Sequence, residues 1–404
     1  MIVPLVSFVS LISLGETVLV CDNYDSYYHP DNKHCFENKD AERNITEIIS
    51  NWGYTAEEYN IYTKDGYQIS VIRAYKNITR RTPIVMGHGI LVNALSWVYR
   101  KNKSLAFHLG ERGYDVWMIN FRGTIYSTDH KFFRNNERKY WSFSFHEMGV
   151  YDIASTLDLV VAKTKKKSIY LGFSQGSTAS YVYGTKLPDV AQKNLKAIIS
   201  IGPVAYLNHI RFYVKILAKF TDLLKKIGYL LLHGRIPLPT SLLYNFCGVH
   251  AWQLHPCAIL RSYLFGNDLE QVDVLYYRLI LLLLGDSTGV DVLVHYAQIL
   301  ESGEFREQSF GVTSNLERYG QETPPHYNLS RIPVPVFLIA GKKDDIASAE
   351  DAKLIYSQLN DRSKSGIHIL EYEKFAHNDF IESTNVRDLL YGTLQEAVDK
   401  FEYS

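Results

Sequence analysis

Short apolar runs, most of them separated by helical patterns, recur towards both ends of the chain. The runs 59–63 and 68–74 flank Asp65 and Gly66, a dipeptide that favours a tight turn, and they predict an antiparallel hairpin. Further short runs predict strands at 84–86, 116–120, 169–173, 197–201, 334–340 and 367–372. Because strands that alternate with helices in this way form a mainly parallel sheet covered on both faces, we predict an α/β fold.

The pattern changes in the middle of the chain, where long apolar helical stretches replace the strand-like runs. Between about 205 and 329 the stretches 210–232 and 276–284 stand out. Lysines interrupt the first stretch, an arrangement typical of an amphipathic helix at a lipid surface or of a helix packed on a core. We therefore predict a sheet-bearing core at 21–204 and 330–404, with a helical cap inserted at 205–329.

The N-terminal end and the overall composition point to the secretory route. Residues 1–14 form an apolar run that resembles the hydrophobic region of a signal peptide, which we expect to end near residue 20. The chain has 43 basic and 43 acidic residues, so no global charge favours nucleic acid. Glycosylation sequons stand at Asn44, Asn77, Asn102 and Asn328. The N-terminal apolar run and the sequons predict a secreted or lysosomal protein.

The four cysteines fall into two local pairs: Cys21 with Cys35, and Cys247 with Cys257. In an oxidising compartment this usage suits two short-loop disulfides, whereas four free thiols are the simplest alternative. The second pair encloses His250 and His255, so these four side chains form an alternative zinc ligand set. Their spacing does not match the usual zinc-finger patterns, and disulfides without a metal are the preferred interpretation.

A Gly-x-Ser-x-Gly pentapeptide, Gly172 to Gly176, directly follows a predicted strand and precedes a stretch of small residues, 177–183, that is a helix candidate. In this context a sharp turn exposes the serine hydroxyl, and the glycines let strand and helix approach closely. Ser174 is therefore the candidate nucleophile of a hydrolase. A chance turn of the same composition is the alternative.

A serine nucleophile needs a histidine to accept its proton and an acid to orient that histidine. In hydrolases with this turn the acid follows the serine in sequence and the histidine comes last. Asp344 and Asp345 follow the strand predicted at 334–340, and His377 follows the last predicted strand. This position makes His377 the candidate base, with His326 as a weaker competitor, while spacing alone leaves both aspartates open.

Two backbone amides are candidates for stabilising the oxyanion that forms when serine attacks a carbonyl carbon. The first is the N–H that follows the nucleophile, which belongs to Gln175. The second is expected from the loop after an early strand, where Gly87, His88, Gly89 and Ile90 form a His-Gly turn. We predict the Ile90 amide for this role. A buried His88 bonded to the backbone would be compatible with shaping the loop.

Together these residues resemble the acid lipase family of the α/β-hydrolase fold, which includes gastric lipase and lysosomal acid lipase. The resemblance runs from about Asn44 to near the C-terminus and is most specific between Trp141 and Asp152. It assigns the family's roles as follows: nucleophile to Ser174, acid to Asp344, base to His377, and oxyanion donors to Ile90 and Gln175. It thereby selects Asp344 over Asp345, and it matches the family's cap cysteines to Cys247 and Cys257.

The resemblance implies an α/β-hydrolase core with an inserted helical cap, and hydrolysis of lipid esters such as triacylglycerols or sterol esters through an acyl-enzyme intermediate. The acyl chain is expected beneath the cap, which would contact a lipid interface transiently. No cofactor, nucleic acid or obligate protein partner is expected. Phe173 and Asp345 stand where the family usually has His and Trp, departures that concern specificity more than catalysis. A non-catalytic lipid carrier and a short-chain esterase or thioesterase are the alternatives.

Overall fold

The computed structural model describes residues 18–31, 33–76 and 82–403, and a large β-sheet runs through its centre. The strands within these residues are β1 (Val18–Cys21), β2 (Cys35–Asn38), β3 (Thr55–Tyr62), β4 (Gln68–Tyr75), β5 (Pro83–Gly87), β6 (Asp115–Asn120), β7 (Ser168–Phe173), β8 (Leu195–Ile201), β9 (Arg235–Pro237), β10 (Ser287–Gly289), β11 (Val336–Ala340) and β12 (Lys364–Ile369).

The central sheet has eight strands in the order β12-β11-β8-β7-β5-β6-β4-β3. Neighbours from β12 to β6 are parallel, whereas β4 and β3 add an antiparallel edge. The predicted hairpin is β3 and β4, which pair from Thr55 opposite Tyr75 to Tyr62 opposite Gln68. The prediction of a mainly parallel sheet is therefore confirmed.

Helices flank this sheet and build the region between β8 and β11. They are α1 (Ile45–Asn51), α2 (Leu105–Glu111), α3 (Phe145–Glu147), α4 (Ala154–Thr164), α5 (Gln175–Lys186), α6 (Pro188–Asn194), α7 (Phe212–Ala218), α8 (Thr221–Leu232), α9 (Thr240–Cys247), α10 (Ala251–Phe265), α11 (Val274–Leu283), α12 (Val290–Ser302), α13 (Val312–Tyr319), α14 (Ala349–Gln358), α15 (Asp379–Glu382) and α16 (Gly392–Glu402). A π-helical segment, Met148–Ile153, joins α3 to α4. Among the described residues, no helix combines the length and the apolar character needed to cross a membrane.

Alternate residues of the central strands pack into separate apolar clusters on the two faces of the sheet. In β6, Val116 and Met118 belong to one cluster, whereas Trp117 and Ile119 belong to the other. All six residues of β6 are buried. Strands that are covered on both faces are apolar almost without interruption, and this is why short apolar runs predicted the central strands.

Residues 205–329, which we call the cap, lie between β8 and β11 and contain α7 to α13. The only strands that the structure describes between 205 and 329, β9 and β10, pair with each other and not with the central sheet. The stretch at 210–232 forms two helices rather than one. The Thr221 hydroxyl donates a hydrogen bond to the carbonyl of Ala218 at the break between α7 and α8, a local bond that competes with helix continuation.

One strand prediction needs correction, and one hairpin was missed. The last strand spans Lys364–Ile369 instead of 367–372, because β12 lies at the sheet edge with half-buried side chains that lack a clear apolar pattern. The hairpin of β1 and β2 was not predicted, and the disulfide Cys21–Cys35 joins its strands. Residues 18–20 of the predicted signal peptide lie in β1, while residues 1–17 are outside the described part of the chain.

A buried arginine connects the turn between β3 and β4 to the π-helical segment between α3 and α4. The guanidinium of Arg122 donates hydrogen bonds to Asp152 at 2.6 and 2.9 Å and to Asp65 at 2.6 and 3.2 Å. It also lies 4.0 Å from the centre of the Tyr67 ring. Because the side chains of Arg122 and Asp152 are fully buried, each depends on the other for compensation of its charge.

Replacing Arg122 should therefore destabilise the fold strongly. We expect Arg122→Met to lower the free energy of unfolding by about 3–5 kcal/mol, because Asp152 would remain as a buried carboxylate without its partner. Urea denaturation followed by tryptophan fluorescence measures this loss. Arg306→Met is the matched control, since Arg306 pairs with the half-exposed Glu304 and should cost less than about 1 kcal/mol. Equal losses in the two variants would contradict the prediction.

Candidate active site

Ser174 occupies the sharp turn between β7 and α5. Its backbone has φ 52° and ψ −117°, a conformation that residues with a side chain rarely adopt. Its N–H donates to the carbonyl of Ile201 at the end of β8, and its own carbonyl accepts from the N–H of Ser177. These bonds hold the strained residue in place at the carboxyl end of the sheet.

The two glycines of the pentapeptide are required by close backbone contacts. A Cβ on Gly176 would lie 2.2 Å from the carbonyl oxygen of Gly87, and a Cβ on Gly172 would lie 2.7 Å from the backbone of Gly176. The Tyr170 hydroxyl donates to the Gly176 carbonyl at 3.1 Å. Glycine at positions 172 and 176 therefore lets β5, β7 and α5 approach closely, with Ser174 in the turn between β7 and α5.

The structure brings three of the predicted site residues into hydrogen-bond contact. His377 Nε2 lies 2.9 Å from Ser174 Oγ, and His377 Nδ1 lies 2.8 Å from Asp344 Oδ2. The relative exposure is 6% for Ser174, 5% for His377 and 3% for Asp344. This is the geometry that allows an imidazole to accept a serine proton while a carboxylate holds its tautomer.

The two neighbouring aspartates have different partners. Asp344 Oδ1 accepts the backbone N–H groups of Ile346 and Ala347 at 3.0 and 2.7 Å, which aims its other oxygen at His377. Asp345 turns towards the cap, where Arg211 Nε donates to it at 2.8 Å. The weaker histidine candidate, His326, forms a β-bridge with Arg306 in the cap.

A buried histidine shapes the loop that carries the Ile90 amide. The N–H of Phe121 donates to His88 Nε2 at 3.1 Å, so the ring proton is on Nδ1, which lies 2.8 Å from the carbonyl oxygen of Gly89. Burial lowers the pKa of His88 to about 4 and keeps the ring neutral. In a trans peptide the carbonyl and the following N–H point in opposite directions, so His88 directs the Ile90 N–H away from itself.

The other predicted oxyanion donor, Gln175, is the first residue of α5, where a backbone N–H has no acceptor within its own helix. Sequence reasoning missed Asp286 of the cap, which supports the loop that carries Ile90. The side chain of Asp286 accepts a 2.8 Å hydrogen bond from Asn93 Nδ2. Its backbone N–H donates to the carbonyl of Leu91. Asn93 and Asp286 are 193 positions apart, and no local pattern connects them.

Two cavities meet at Ser174. One has a volume of about 230 Å³ and is lined by Phe173, His377 and residues of α9 to α11. The other has a volume of about 600 Å³ and extends between α7, α8 and α12. We call them the small and the large cavity. Ile90, Ser174, Leu264 and Ile346 line both, so a molecule bound at Ser174 has access to each.

The cap disulfide is part of the small cavity. Cys247 at the end of α9 is bonded to Cys257 in α10, and both cysteines are lining residues. The predicted pairing of these cysteines is therefore present. The bond occupies both sulfur atoms, which rules out the alternative zinc set with His250 and His255.

Comparisons with known proteins place the chain in a family. Two family models match: the partial α/β-hydrolase lipase region at residues 45–101 and the α/β-hydrolase fold at residues 82–225. Gastric triacylglycerol lipase of Rattus norvegicus is 30% identical over 370 residues, which cover 88% of this chain and 92% of that protein. The chain belongs to the acid lipase family.

Further relatives agree with this membership. Lipase member K of Homo sapiens is 30% identical over 347 residues, covering 83% of this chain and 86% of that protein. Among solved structures, a soluble variant of monoglyceride lipase from Saccharomyces cerevisiae matches with a TM-score of 0.54 at 12% identity, covering 86% of this chain and 95% of that chain. The solved structure supports the α/β-hydrolase fold, and the lipase relatives show that this acid lipase family member is a carboxylic ester hydrolase.

The loop that carries His377 contains a carboxyl group with an unusual pKa. Asp379 is 1% exposed, and its side chain accepts backbone N–H groups from Ala376 at 2.8 Å and from Asp268 at 3.3 Å. Burial raises its pKa from the ordinary value of 3.8 to about 8, and the charges of Asp268 and Glu382 act in the same direction. Asp379 is therefore protonated in the folded protein below that pH.

This shift predicts that the contribution of Asp379 to stability is larger at acidic pH than at neutral pH. Between about pH 4 and 8 the folded chain keeps a proton on Asp379 that the unfolded chain has released. The contribution of Asp379 to the free energy of unfolding therefore falls by about 1.4 kcal/mol per pH unit as pH rises. In Asp379→Asn this part of the slope should disappear. Urea denaturation at pH 5 and pH 8 measures it, with the exposed Asp388→Asn as control. Parallel pH profiles of wild type and Asp379→Asn would contradict the prediction.

Proposed function

We propose that this chain hydrolyses lipid esters through an acyl-enzyme intermediate, with Ser174 as nucleophile, His377 as base and Asp344 as the acid that orients it. The observation that carries the proposal is the pair of hydrogen bonds on His377, 2.9 Å to Ser174 Oγ and 2.8 Å to Asp344 Oδ2. A lone serine at a tight turn would not need an imidazole and a buried carboxylate in this arrangement.

In the proposed reaction, Ser174 Oγ attacks the ester carbonyl carbon while its proton moves to His377 Nε2. The N–H groups of Ile90 and Gln175 stabilise the negative charge on the carbonyl oxygen. The C–O bond to the alcohol then breaks, His377 returns the proton to the leaving alcohol oxygen, and the acyl group remains on Ser174. A water molecule, deprotonated by His377, releases the fatty acid by the same steps and restores the serine.

The lining of the large cavity supports a lipid ester as substrate. Its residues are mainly Leu, Ile and Val from the cap, a surface on which an acyl chain is favoured over water. The relatives named as gastric triacylglycerol lipases support the same substrate class. A thioesterase activity has no specific support in the site, and a non-catalytic carrier would not require the contacts of His377.

We also propose that the cap touches a lipid surface during turnover. Large apolar side chains are exposed on α7 and α8, with relative exposures of 77% for Phe212, 76% for Leu230 and 67% for Leu231. Ile227 and Leu232 of α8 are partly exposed and also line the large cavity. The exposed apolar surface is thus continuous with the acyl cavity, as expected for a chain that takes its substrate from a lipid phase.

We also propose that the chain enters the secretory pathway and is secreted or lysosomal. Two disulfides support it, because such bonds persist in oxidising compartments. The sequon residues Asn44, Asn102 and Asn328 are exposed, so all three are accessible for glycosylation. Asn77 lies outside the described residues.

A serine-directed probe tests the proposed mechanism. A fluorophosphonate should label the protein at Ser174 alone, and Ser174→Ala should abolish both labelling and hydrolysis of a short nitrophenyl ester. Asp344→Asn should lower kcat by about 10⁴, because the carboxylate no longer holds the imidazole tautomer. Asp345→Asn is the matched control and should have a far smaller effect, since Asp345 pairs with Arg211. Labelling at another residue, or equal losses for the two aspartates, would refute the assignment.

The lipid contact has its own test. The triple variant Phe212→Ser, Leu230→Ser, Leu231→Ser should bind phosphatidylcholine vesicles and hydrolyse emulsified triolein at least about tenfold less well, because it loses apolar surface that enters the lipid. Hydrolysis of a soluble nitrophenyl ester should be retained, as these side chains line neither cavity. Phe132→Ser, 79% exposed and outside the cap, is the control. Unchanged vesicle binding in the triple variant would exclude this surface.

A further inference from the structure

The two cavities at Ser174 differ in their relation to the proposed proton donor. His377 must reach the oxygen of the leaving alcohol, so the alcohol part of the ester lies on the side of the imidazole. His377 and Asn378 line the small cavity, whereas the lining of the large cavity includes Ser174 and Ile90 without His377. The small cavity is therefore the site for the alcohol part, and the large cavity is the site for the acyl chain.

The small cavity contains an ion pair among mostly apolar neighbours. Arg261 of α10 and Glu382 of α15 both line it, together with leucines such as Leu260 and Leu281. The Arg261 Nη1 and Nη2 atoms each donate to a different carboxylate oxygen of Glu382 at 2.5 Å. Asn267 Nδ2 adds a third bond to this carboxylate at 3.1 Å.

This pair has hydrogen-bonding capacity left for a ligand. A guanidinium carries five N–H donors, and within the described residues Glu382 is the only hydrogen-bond partner of the Arg261 side chain. A carboxylate has about four acceptor sites, of which the protein uses three. The side chains are 18% and 9% exposed, so there is room for only a few water molecules at the unused sites, and a bound ligand has to replace their hydrogen bonds. A hydroxyl group can do so, because it both donates and accepts.

We propose that the Arg261–Glu382 pair selects esters whose alcohol part carries further hydroxyl groups, that is, partial esters of glycerol. This inference rests on the proposed function. An alkyl or sterol alcohol would displace water from the pair without replacing its hydrogen bonds, and a site built around such groups discriminates against analogues that lack the matching hydroxyl. Arg261 and Glu382 thus act as specificity determinants and take no part in bond breaking.

The test compares two esters that share one acyl chain. Monooleoylglycerol and propyl oleate differ only in two hydroxyl groups, and both are presented in the same detergent micelles. Wild-type protein should prefer monooleoylglycerol in kcat/KM by about tenfold or more. The double variant Arg261→Met, Glu382→Leu removes both charges together, so no unpaired charge remains buried, and the ratio should fall towards one. Cholesteryl oleate should be a slower substrate than monooleoylglycerol for the wild type.

Two further variants keep the test decisive. Arg261→Lys retains a positive charge but lacks the paired donors of a guanidinium, so it should reduce the ratio even if the double variant fails to fold. Arg387→Met with Glu111→Leu removes a pair of the same type at the surface and should leave the ratio unchanged. Because the readout is a ratio within each protein, a general loss of activity does not affect it.

The outcomes separate this inference from the proposed function. If fluorophosphonate labels Ser174 and propyl oleate is hydrolysed, the proposed function holds whatever the ratio is. A wild-type protein without preference for monooleoylglycerol, or an Arg261→Lys variant with an unchanged ratio, would overturn the role of the pair. If the Arg261 and Glu382 variants change the preference for acyl chain length but not the preference between the two alcohols, the assignment of the two cavities is reversed. That result would also overturn the inference.

Discussion

The close approach of β5, β7 and α5 is the constraint on which the rest of the site depends. Only glycine fits at positions 172 and 176, where an added Cβ would meet backbone atoms at 2.7 and 2.2 Å. With these contacts in place, Ser174 is held at φ 52°, at a cost of about 1–3 kcal/mol that the surrounding hydrogen bonds offset. The strain places the serine oxygen above the carboxyl edge of the parallel strands, within 2.9 Å of His377.

Around this turn, the cap and the core position the site jointly. His88, buried in the core, orients the peptide that carries the Ile90 N–H, while Asp286 of the cap holds Asn93 and Leu91 further along the same loop. On the opposite side, Arg211 of the cap pairs with Asp345, the residue that follows Asp344. The cap therefore forms part of the wall of both cavities and supports loops on either side of Ser174.

Several ionisable side chains are buried in this structure, and removing the charged form of each from water costs free energy. Where a partner of opposite charge is near, as for Arg122 with Asp152 or Arg261 with Glu382, the hydrogen bonds between the two side chains offset part of this cost and specify a geometry. Where the neighbours are negative, as for Asp379 next to Asp268 and Glu382, burial raises the pKa and the group keeps its proton. The histidine loop is thus anchored by a carboxyl group that is neutral over much of the acidic range.

The sequence by itself determined the central strands, the hairpin and the serine turn, because side-chain periodicity and glycine placement are local properties that a strand buried on both faces must obey. It also determined that His377 follows the last strand, although the choice between Asp344 and Asp345 required the family resemblance. Only the tertiary structure decided that Asp286 supports the loop of Asn93, that Arg261 meets Glu382, and that β12 lies at the sheet edge. These features depend on contacts between residues far apart in the chain, and such contacts leave no periodic signal in the residues that make them.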